Sequence, residues 1–298
     1  MTSRLSSLAC PPRHSTPGTD RPSFGAGVVA TARQLGWDAM PHQRLVAEVG
    51  LEHESDQLVY KDVDVSCPRQ QGKSSLVLSL CVQRMLAAPG QWCVYGAQSR
   101  LAARRRLLRV WWPRIRRSPL RDLFTLSKGT GQEELAASNG SLLTLLSIDE
   151  ATAHGDVIDL GILDECWSLD ETAEQAIRPG MLTKPNAQLW RLSTAGTAKS
   201  AYWRARVDAG RTAADLGVTE GTAFIEWASA PDADPTDPAT WRAAMPAMGY
   251  TITEETVAKD LASMSLAQFK RSHLNLWPDE SDEGWSVIGR DVWQAARL

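Results

Sequence analysis

Cys67-Pro68-Arg69-Gln70-Gln71-Gly72-Lys73-Ser74 is the stretch that decides the fold. Before it, Leu58 to Ser66 (LVYKDVDVS) alternates apolar and polar residues, which predicts a strand. After it, Ser74 to Ala88 (SSLVLSLCVQRMLAA) is apolar nearly all round and stops at Pro89-Gly90, which predicts a buried helix with a clean end. A Gly-Lys-Ser turn between a strand and a helix is suited to phosphate. The tight loop turns backbone N–H groups inward, and the helix adds the positive end of its dipole. Lys73 is placed to reach β- and γ-phosphates, and the Ser74 hydroxyl to ligate Mg²⁺. Gly72 lets the backbone approach without a side-chain clash. Pro68, Arg69, Gln70, Gln71, Gly72, Lys73, Ser74 and Ser75 form the nucleotide-binding run, with Cys67 where a first glycine is usual. The bland alternative is a plain strand-to-helix turn.

Outward from the loop, strand-like and helix-like segments alternate. Trp92–Ala97 reads as a buried strand, and Ser99 as the cap of a helix running to about Arg117. Ser127 to Gly131 is a polar turn, followed by apolar runs at Ser141–Ile148 and Val157–Leu163. A helix at Glu171–Ile177 and a strand at Gln188–Ser193 complete the pattern. Alternation of this kind implies an α/β fold, a mostly parallel sheet flanked by helices. With the phosphate loop it is the P-loop NTPase class that carries a catalytic carboxylate on a separate strand. Residues 1–25 hold four prolines and few bulky apolar groups, and read as a disordered tail. Residues 26–230 form the nucleotide domain. Residues 231–298 open with the acidic, proline-rich linker PDADPTDP and continue as a small helical subdomain studded with tryptophan.

The chain's 298 residues allow one large domain or two modest ones. Apolar residues make up 43% and charged residues 22%, which excludes wholesale disorder and collagen-like repeats. No stretch approaches the roughly 20 apolar residues of a membrane-spanning helix. The net charge of −3 gives no global case for nucleic acid, so any such contact rests on a local patch. Five cysteines without paired spacing argue against a zinc site or a disulfide framework, and fit a reducing compartment. The start of the chain lacks a signal-peptide core, so secretion is not expected.

A loop of this type needs an acidic pair at the end of a buried strand, one carboxylate to organise Mg²⁺ and one to polarise the attacking water. Asp149-Glu150 and Asp164-Glu165 both follow apolar runs. The Ser193-Thr194-Ala195-Gly196 strand end lies one helix and two turns beyond Asp164-Glu165, and farther from Asp149-Glu150. That spacing favours Asp164 as metal organiser and Glu165 as catalytic carboxylate, and leaves Asp149 and Glu150 as turn charge. Ser193-Thr194-Ala195-Gly196 could sense the γ-phosphate, or be an ordinary polar loop. Gln43 lies upstream of the loop, where a side-chain amide could read an adenine edge or merely sit exposed.

Nine arginines fall between Arg100 and Arg121, interleaved with Leu101, Leu107, Leu108, Val110, Trp111, Trp112 and Ile115. From this basic amphipathic segment, Arg100, Arg104, Arg105, Arg106 and Arg109 are candidates for DNA phosphates or for a neighbouring subunit's nucleotide. The alternative is a solvated face paired with acids. Arg69 is a separate candidate for stabilising transition-state charge within its own site, or for bracing the loop.

These pieces resemble the ATPase part of the large terminase subunit of tailed phages. The resemblance runs from about Gly36 to Trp293. It rests on Pro68-Arg69-Gln70-Gln71-Gly72-Lys73-Ser74, on Asn139-Gly140-Ser141 with His154-Gly155 and Ile162-Leu163-Asp164-Glu165, and on Leu192-Ser193-Thr194-Ala195-Gly196. It extends through Phe224-Ile225-Glu226-Trp227, Trp241, Pro246, Phe269-Lys270-Arg271 and Leu274-Asn275-Leu276-Trp277. Ala244-Met245-Pro246 departs from the Asn-Pro that is common there. The resemblance implies Gln43 as adenine reader, Arg69 as the loop arginine, Lys73 and Ser74 on phosphate and Mg²⁺, and Ser193-Thr194-Ala195 as the coupling segment. It implies ATP and Mg²⁺ as cofactors, with double-stranded DNA, a portal protein and a small terminase subunit as partners. It also implies a homo-oligomeric ring, usually pentameric, working in the host cytoplasm and transiently at the procapsid portal. Members usually continue into a nuclease domain; the sequence ends about where that would begin, so no nuclease activity is expected of it. Rival readings are another DNA-dependent P-loop ATPase of helicase or repair type, and a non-catalytic scaffold with the same fold.

Overall fold

The computed structural model describes residues 8–129, 131–146 and 157–278. The chain begins with a short strand, β1 (His14–Ser15), and two helices, α1 (Gly25–Gln34) and α2 (Pro41–Gly50). A small hairpin, β2 (His53–Glu54) and β3 (Gln57–Leu58), leads into β4 (Tyr60–Ser66), the loop, and α3 (Lys73–Ala87). Next come β5 (Trp92–Gly96), α4 (Arg100–Arg106), a π-helical turn at Leu107–Trp111, and α5 (Trp112–Arg116). A hairpin of β6 (Phe124–Ser127) and β7 (Glu134–Ala137) precedes β8 (Leu142–Leu145) and β9 (Leu160–Asp164). The order continues α6 (Glu171–Met181), β10 (Gln188–Ser193), α7 (Ala201–Asp215) and β11 (Gly221–Glu226). It closes with α8 (Pro238–Ala244), α9 (Glu254–Ser263) and α10 (Leu266–His273).

Among the described residues one nine-stranded sheet runs β1-β11-β4-β10-β9-β5-β8-β7-β6. Every pairing from β11 to β8 is parallel, and the pairings at both edges are antiparallel. The order places β10 between the loop strand β4 and the acidic strand β9. Helices α1, α2 and α3 cover one face, and α6 and α7 the other. The fold is the mostly parallel P-loop architecture expected from the alternation. No helix among the described residues is long and apolar enough to cross a membrane.

The alternating polar residues of β4 are not solvated. Asp64 is 1% exposed and pairs with Arg191, which is 0% exposed, at 2.6 Å. Arg191 also reaches Asp62 at 2.7 Å and Glu174 at 3.0 Å, and Arg206 closes on Asp64 at 3.2 Å. Buried charges survive because each is paired and hydrogen-bonded. The opposite side of β4, Val63 and Val65, joins the apolar core with Trp190.

Several expectations change. Residues 8–25 are not a free tail. Arg13 N–H donates to Glu226 O and Thr16 N–H to Phe224 O, both at 2.7 Å, so the segment extends the sheet beyond β11. An open sheet edge offers such backbone partners to any extended chain, and proline does not forbid extended structure. The helix after Ser99 is capped as expected, Ser99 Oγ accepting from Ala102 N–H, but it is interrupted by the π turn. The edge strands β6 and β7, and the pair α7 and β11, were not foreseen as elements. The tail after 230 contributes α8 to α10, which carry their own small core of Trp241, Val257, Phe269 and Leu274. Asp149-Glu150 and His154-Gly155 lie outside the described residues.

Candidate functional site

The loop between β4 and α3 turns through two left-handed residues, Gln70 (φ 61°) and Gly72 (φ 77°). A Cβ at Gly72 would stand 2.6 Å from Gln43 Nε2 and 2.7 Å from Met40 Cε, so both side chains would have to move, and the left-handed backbone itself favours glycine. Helix α2 braces the turn. Gln43 Nε2 donates to Gly72 O (2.8 Å) and Ser75 Oγ (2.9 Å), and its Oε1 accepts from Met40 N–H (2.8 Å). Both amide hydrogens are thus spent on the loop and helix start. In this arrangement Gln43 lines the cavity beside the loop, and its side chain braces the loop. His42 Nε2 lies 2.8 Å from Gln71 O, and burial pushes its pKa down to about 4.

The C-terminal helices brace the other side. Gln71 Oε1 accepts from Ala247 N–H (2.8 Å), and Arg69 N–H donates to Ser272 O (2.9 Å). The Arg69 and Gln70 side chains are exposed at the cavity. Lys73, 9% exposed, lays its ammonium over the loop, donating to Pro68 O (3.0 Å) and Cys67 O (3.3 Å).

Across from the loop, β9 ends in Asp164, 1% exposed. Tyr95 Oη, from the adjacent β5, donates to its Oδ2 at 2.9 Å. Burial raises the Asp164 carboxyl pKa, the Glu165 charge adds to this, and Arg106 and Lys73 oppose it. Glu165 follows in the left-handed region (φ 60°), a conformation that non-glycine residues rarely hold without local support. That support comes from Trp167 Nε1, which donates to Glu165 Oε2 at 2.8 Å, and from Asp164 Oδ1, which accepts the Glu165 N–H at 3.1 Å. Glu165 and Trp167 thereby line a cavity of about 760 Å³ whose opposite wall is Gly72, Lys73, Ser74 and Ser75. Arg106, Trp111, Arg114 and Trp37 complete it.

The arginine set divides. Arg100 and Arg104 both hold the buried Glu133, at 2.9 Å and 2.6 Å, so they brace the β6–β7 hairpin. Arg106 turns into its own chain's cavity, donating to Ser74 Oγ and standing 4.0 Å from Asp164 Oδ2. This corrects its expected place facing DNA or a neighbour. Arg105 and Arg109 are exposed.

The strand end after β10 is also rearranged relative to expectation. Ser193 Oγ accepts from Trp167 N–H (2.9 Å), and Ser193 O accepts from Cys67 N–H (3.0 Å). Thr194 Oγ1 donates toward Asn275 Oδ1 at 3.3 Å, and Ala195 N–H donates to the same oxygen at 2.6 Å. Thr194 and Ala195 are each 1% exposed, so they address the C-terminal segment rather than the cavity. Gly196 packs against Ser200 and Trp277.

Sequence reasoning missed Tyr95, Trp167 and Asn275 as parts of this site. Trp167 stands two residues past Glu165, where a tryptophan just after an acidic pair was the available signal. Tyr95 gave none, since its partner is distant in sequence; Asn275 stood in the Leu274-Asn275-Leu276-Trp277 run, which did not reveal its distant partners.

No known family model matches the chain, and no curated protein does. Solved structures do. Over 86% of this chain it superimposes on the HK97 bacteriophage large terminase with a TM-score of 0.72 and 20% identity, spanning 55% of that chain. The ATPase domain of the Thermus phage P74-26 large terminase matches over 86% of this chain and 99% of its own, with a TM-score of 0.57 and 15% identity. A large terminase from a thermophilic bacteriophage, solved in complex with ADP, matches over 86% of this chain and 53% of its own, with a TM-score of 0.52 and 12% identity. The chain thus spans about half the length of the full large terminases it resembles, and nearly all of the isolated ATPase domain. Its fold is that of the phage large-terminase ATPase domain.

Proposed function

We propose that this chain binds and hydrolyses ATP with Mg²⁺, as the motor domain of a phage terminase that drives double-stranded DNA into a procapsid. The observation that carries this reading is the facing of two elements across one cavity. The loop of Gly72, Lys73 and Ser74 stands on one side and Glu165, directly after the β9 end at Asp164, on the other, with β10 between their strands. The terminase from the thermophilic phage holds ADP, which supports a nucleotide here.

The residues suit the metal. Ser74 and Asp164 supply a hydroxyl and a carboxylate oxygen, the donor types Mg²⁺ accepts. The space between them already attracts a cation, since Arg106 reaches both. Bound Mg²⁺ would neutralise phosphate charge. Lys73 would leave the carbonyls of Pro68 and Cys67 for the phosphates. The loop N–H groups and the start of α3 would bind the β-phosphate. Glu165 would orient a water and take its proton, held in line by Trp167. Arg69, exposed at the cavity rim, would add positive charge as charge develops on the leaving phosphate.

As a packaging motor the chain would act on double-stranded DNA. It would act in a homo-oligomeric ring docked on a portal protein, with a small terminase subunit choosing the DNA, in the host cytoplasm. The contacts of Thr194 and Ala195 with Asn275 would pass a change at the loop to the C-terminal helices.

The test is phosphate release and fluorescent-ATP binding by the whole chain, alone and with DNA and portal. Glu165→Gln should lower turnover by about a hundredfold or more while binding persists, and Lys73→Ala should lose binding. Unchanged turnover in Glu165→Gln overturns the assignment of the carboxylate. Absence of ATP binding in the unaltered chain overturns the motor reading.

A further inference from the structure

The Arg106 guanidinium occupies the space between the two groups assigned above to Mg²⁺. One nitrogen donates to Ser74 Oγ, and the other stands 4.0 Å from Asp164 Oδ2, the oxygen that also accepts from Tyr95. We propose that Arg106 is an internal substitute for the divalent cation. It holds the loop and the acidic strand end together in the nucleotide-free chain, and a metal–nucleotide complex can enter only as Arg106 leaves. This inference rests on the nucleotide-site reading above.

Asp164 imposes the requirement. A carboxylate that is 1% exposed and next to Glu165 needs a positive partner near it in every state. Arg106 fills that need from within the chain, and a divalent metal would fill it from outside. The two cations repel and compete for the same two oxygens, so occupancy by one excludes the other. Lys73 does not compete for this spot, because it is held on Pro68 O and Cys67 O.

The position of Arg106 along the chain gives its departure a route. Arg106 is the last residue of α4, and the π turn Leu107–Trp111 follows at once. Single π turns insert one extra residue into a helix, and they gather at functional sites because the helix can reset there. The start of α4 is fixed, since Arg100 and Arg104 are both tied to Glu133. The far end of the turn is Trp111, 1% exposed, packed on Tyr95 with ring centroids 4.5 Å apart. The buried Trp111 Nε1–H has no acceptor among the described residues. A buried donor at the end of the turn is left unsatisfied, and a reset of the turn could relieve that cost. Tyr95, touching both Asp164 and Trp111, joins the metal position to the turn.

The test measures Mn²⁺ binding by electron paramagnetic resonance, with the whole chain and saturating ADP. Arg106→Gln, which removes the charge, should bind Mn²⁺ about tenfold more tightly than the unaltered chain, and Arg106→Lys should stay near it. Equal or weaker Mn²⁺ binding in Arg106→Gln, with ADP still bound, overturns the substitution idea and leaves the nucleotide site standing. Failure of the unaltered chain to bind ADP overturns both. Hydrogen exchange on the unaltered chain gives a check that needs no variant. Amides of residues 107–111 should exchange faster with ADP and Mg²⁺ than with ADP alone, and identical exchange in the two conditions overturns the proposal.

Discussion

Asn275 Oδ1 accepts the backbone N–H of Ala195 at 2.6 Å, across 80 residues of chain. The same amide donates from Nδ2 to Ser66 Oγ and to Trp227 O, each at 2.9 Å. One buried side chain therefore ties together the ends of three neighbouring strands, β4, β10 and β11, just behind the phosphate loop. Asn275 sits in the left-handed region (φ 56°), which asparagine tolerates better than most residues. Asn275→Ala should cost roughly 2–3 kcal/mol in urea unfolding, because Ala195 N–H and Ser66 Oγ lose a buried partner. A loss below about 0.5 kcal/mol would mean these strand ends are held by other contacts.

Tyr95 and Asp164 form the second buried pair, and Tyr95→Phe removes only the hydroxyl. The ring stays on Trp111, so packing is kept while the carboxylate loses a donor. Stability should fall by about 2 kcal/mol, the usual worth of a hydrogen bond to a charged group. Differential scanning calorimetry reads the effect, and an unchanged Tm would place Asp164's support on the Glu165 N–H and the nearby cations Arg106 and Lys73.

His42 gives a pH prediction whose sign follows from its burial. Its pKa falls from 6.5 to about 4 in the folded chain, chiefly by desolvation, with Lys73 also disfavouring its charge. A lowered folded pKa means stability is fully present above about pH 6.5 and is lost as pH falls through 4. Across that window His42 alone should withdraw up to about 3 kcal/mol. His42→Gln should flatten the slope. Urea midpoints at pH 7, 5.5 and 4.5 provide the measurement, and parallel curves for the two chains would contradict it.

Arg105 and Arg109 are the two exposed members of the original arginine set. The double change to Ala should reduce ATP turnover in assembled rings by about a hundredfold if either reaches a neighbour's nucleotide. Turnover of the dilute chain should be unchanged. Equal loss in both preparations would assign the effect to the chain's own fold.

Gly210 on α7 faces Phe224 of β11, and a Cβ there would press into the ring. Gly210→Ala should destabilise by about 1–3 kcal/mol through overpacking, despite alanine's better helix propensity. A gain in stability would mean α7 can slide off β11 at little cost.

The loop with its flanking strand and helix was legible because it depends on local pattern, and the Gly-Lys-Ser turn carries its signal within a few residues. Apolar runs precede both acidic pairs, so only the spacing to the Ser193-Thr194-Ala195-Gly196 strand end pointed to Asp164-Glu165. The roles of Gln43, Arg106 and residues 8–25 were not legible, since each is decided by a partner far along the chain. Gln43 looked free to meet a base until α2 placed it on Gly72. Arg106 was one arginine among nine until α4 ended against Ser74.

By itself the sequence determined the class of fold, through the alternation of strand and helix patterns, and the place of the phosphate loop within it. Those are short-range consequences of periodicity, glycine conformation and helix capping. Only the tertiary structure decided which polar groups meet: Arg191 with Asp64 inside the sheet, Arg106 with Asp164 at the end of the central strand β9, and Asn275 with three strand ends. Such pairings depend on strand order, and neighbours in the sheet need not be neighbours in sequence. A buried polar group finds its partner through the fold, so neither its type nor its spacing reveals that partner in advance.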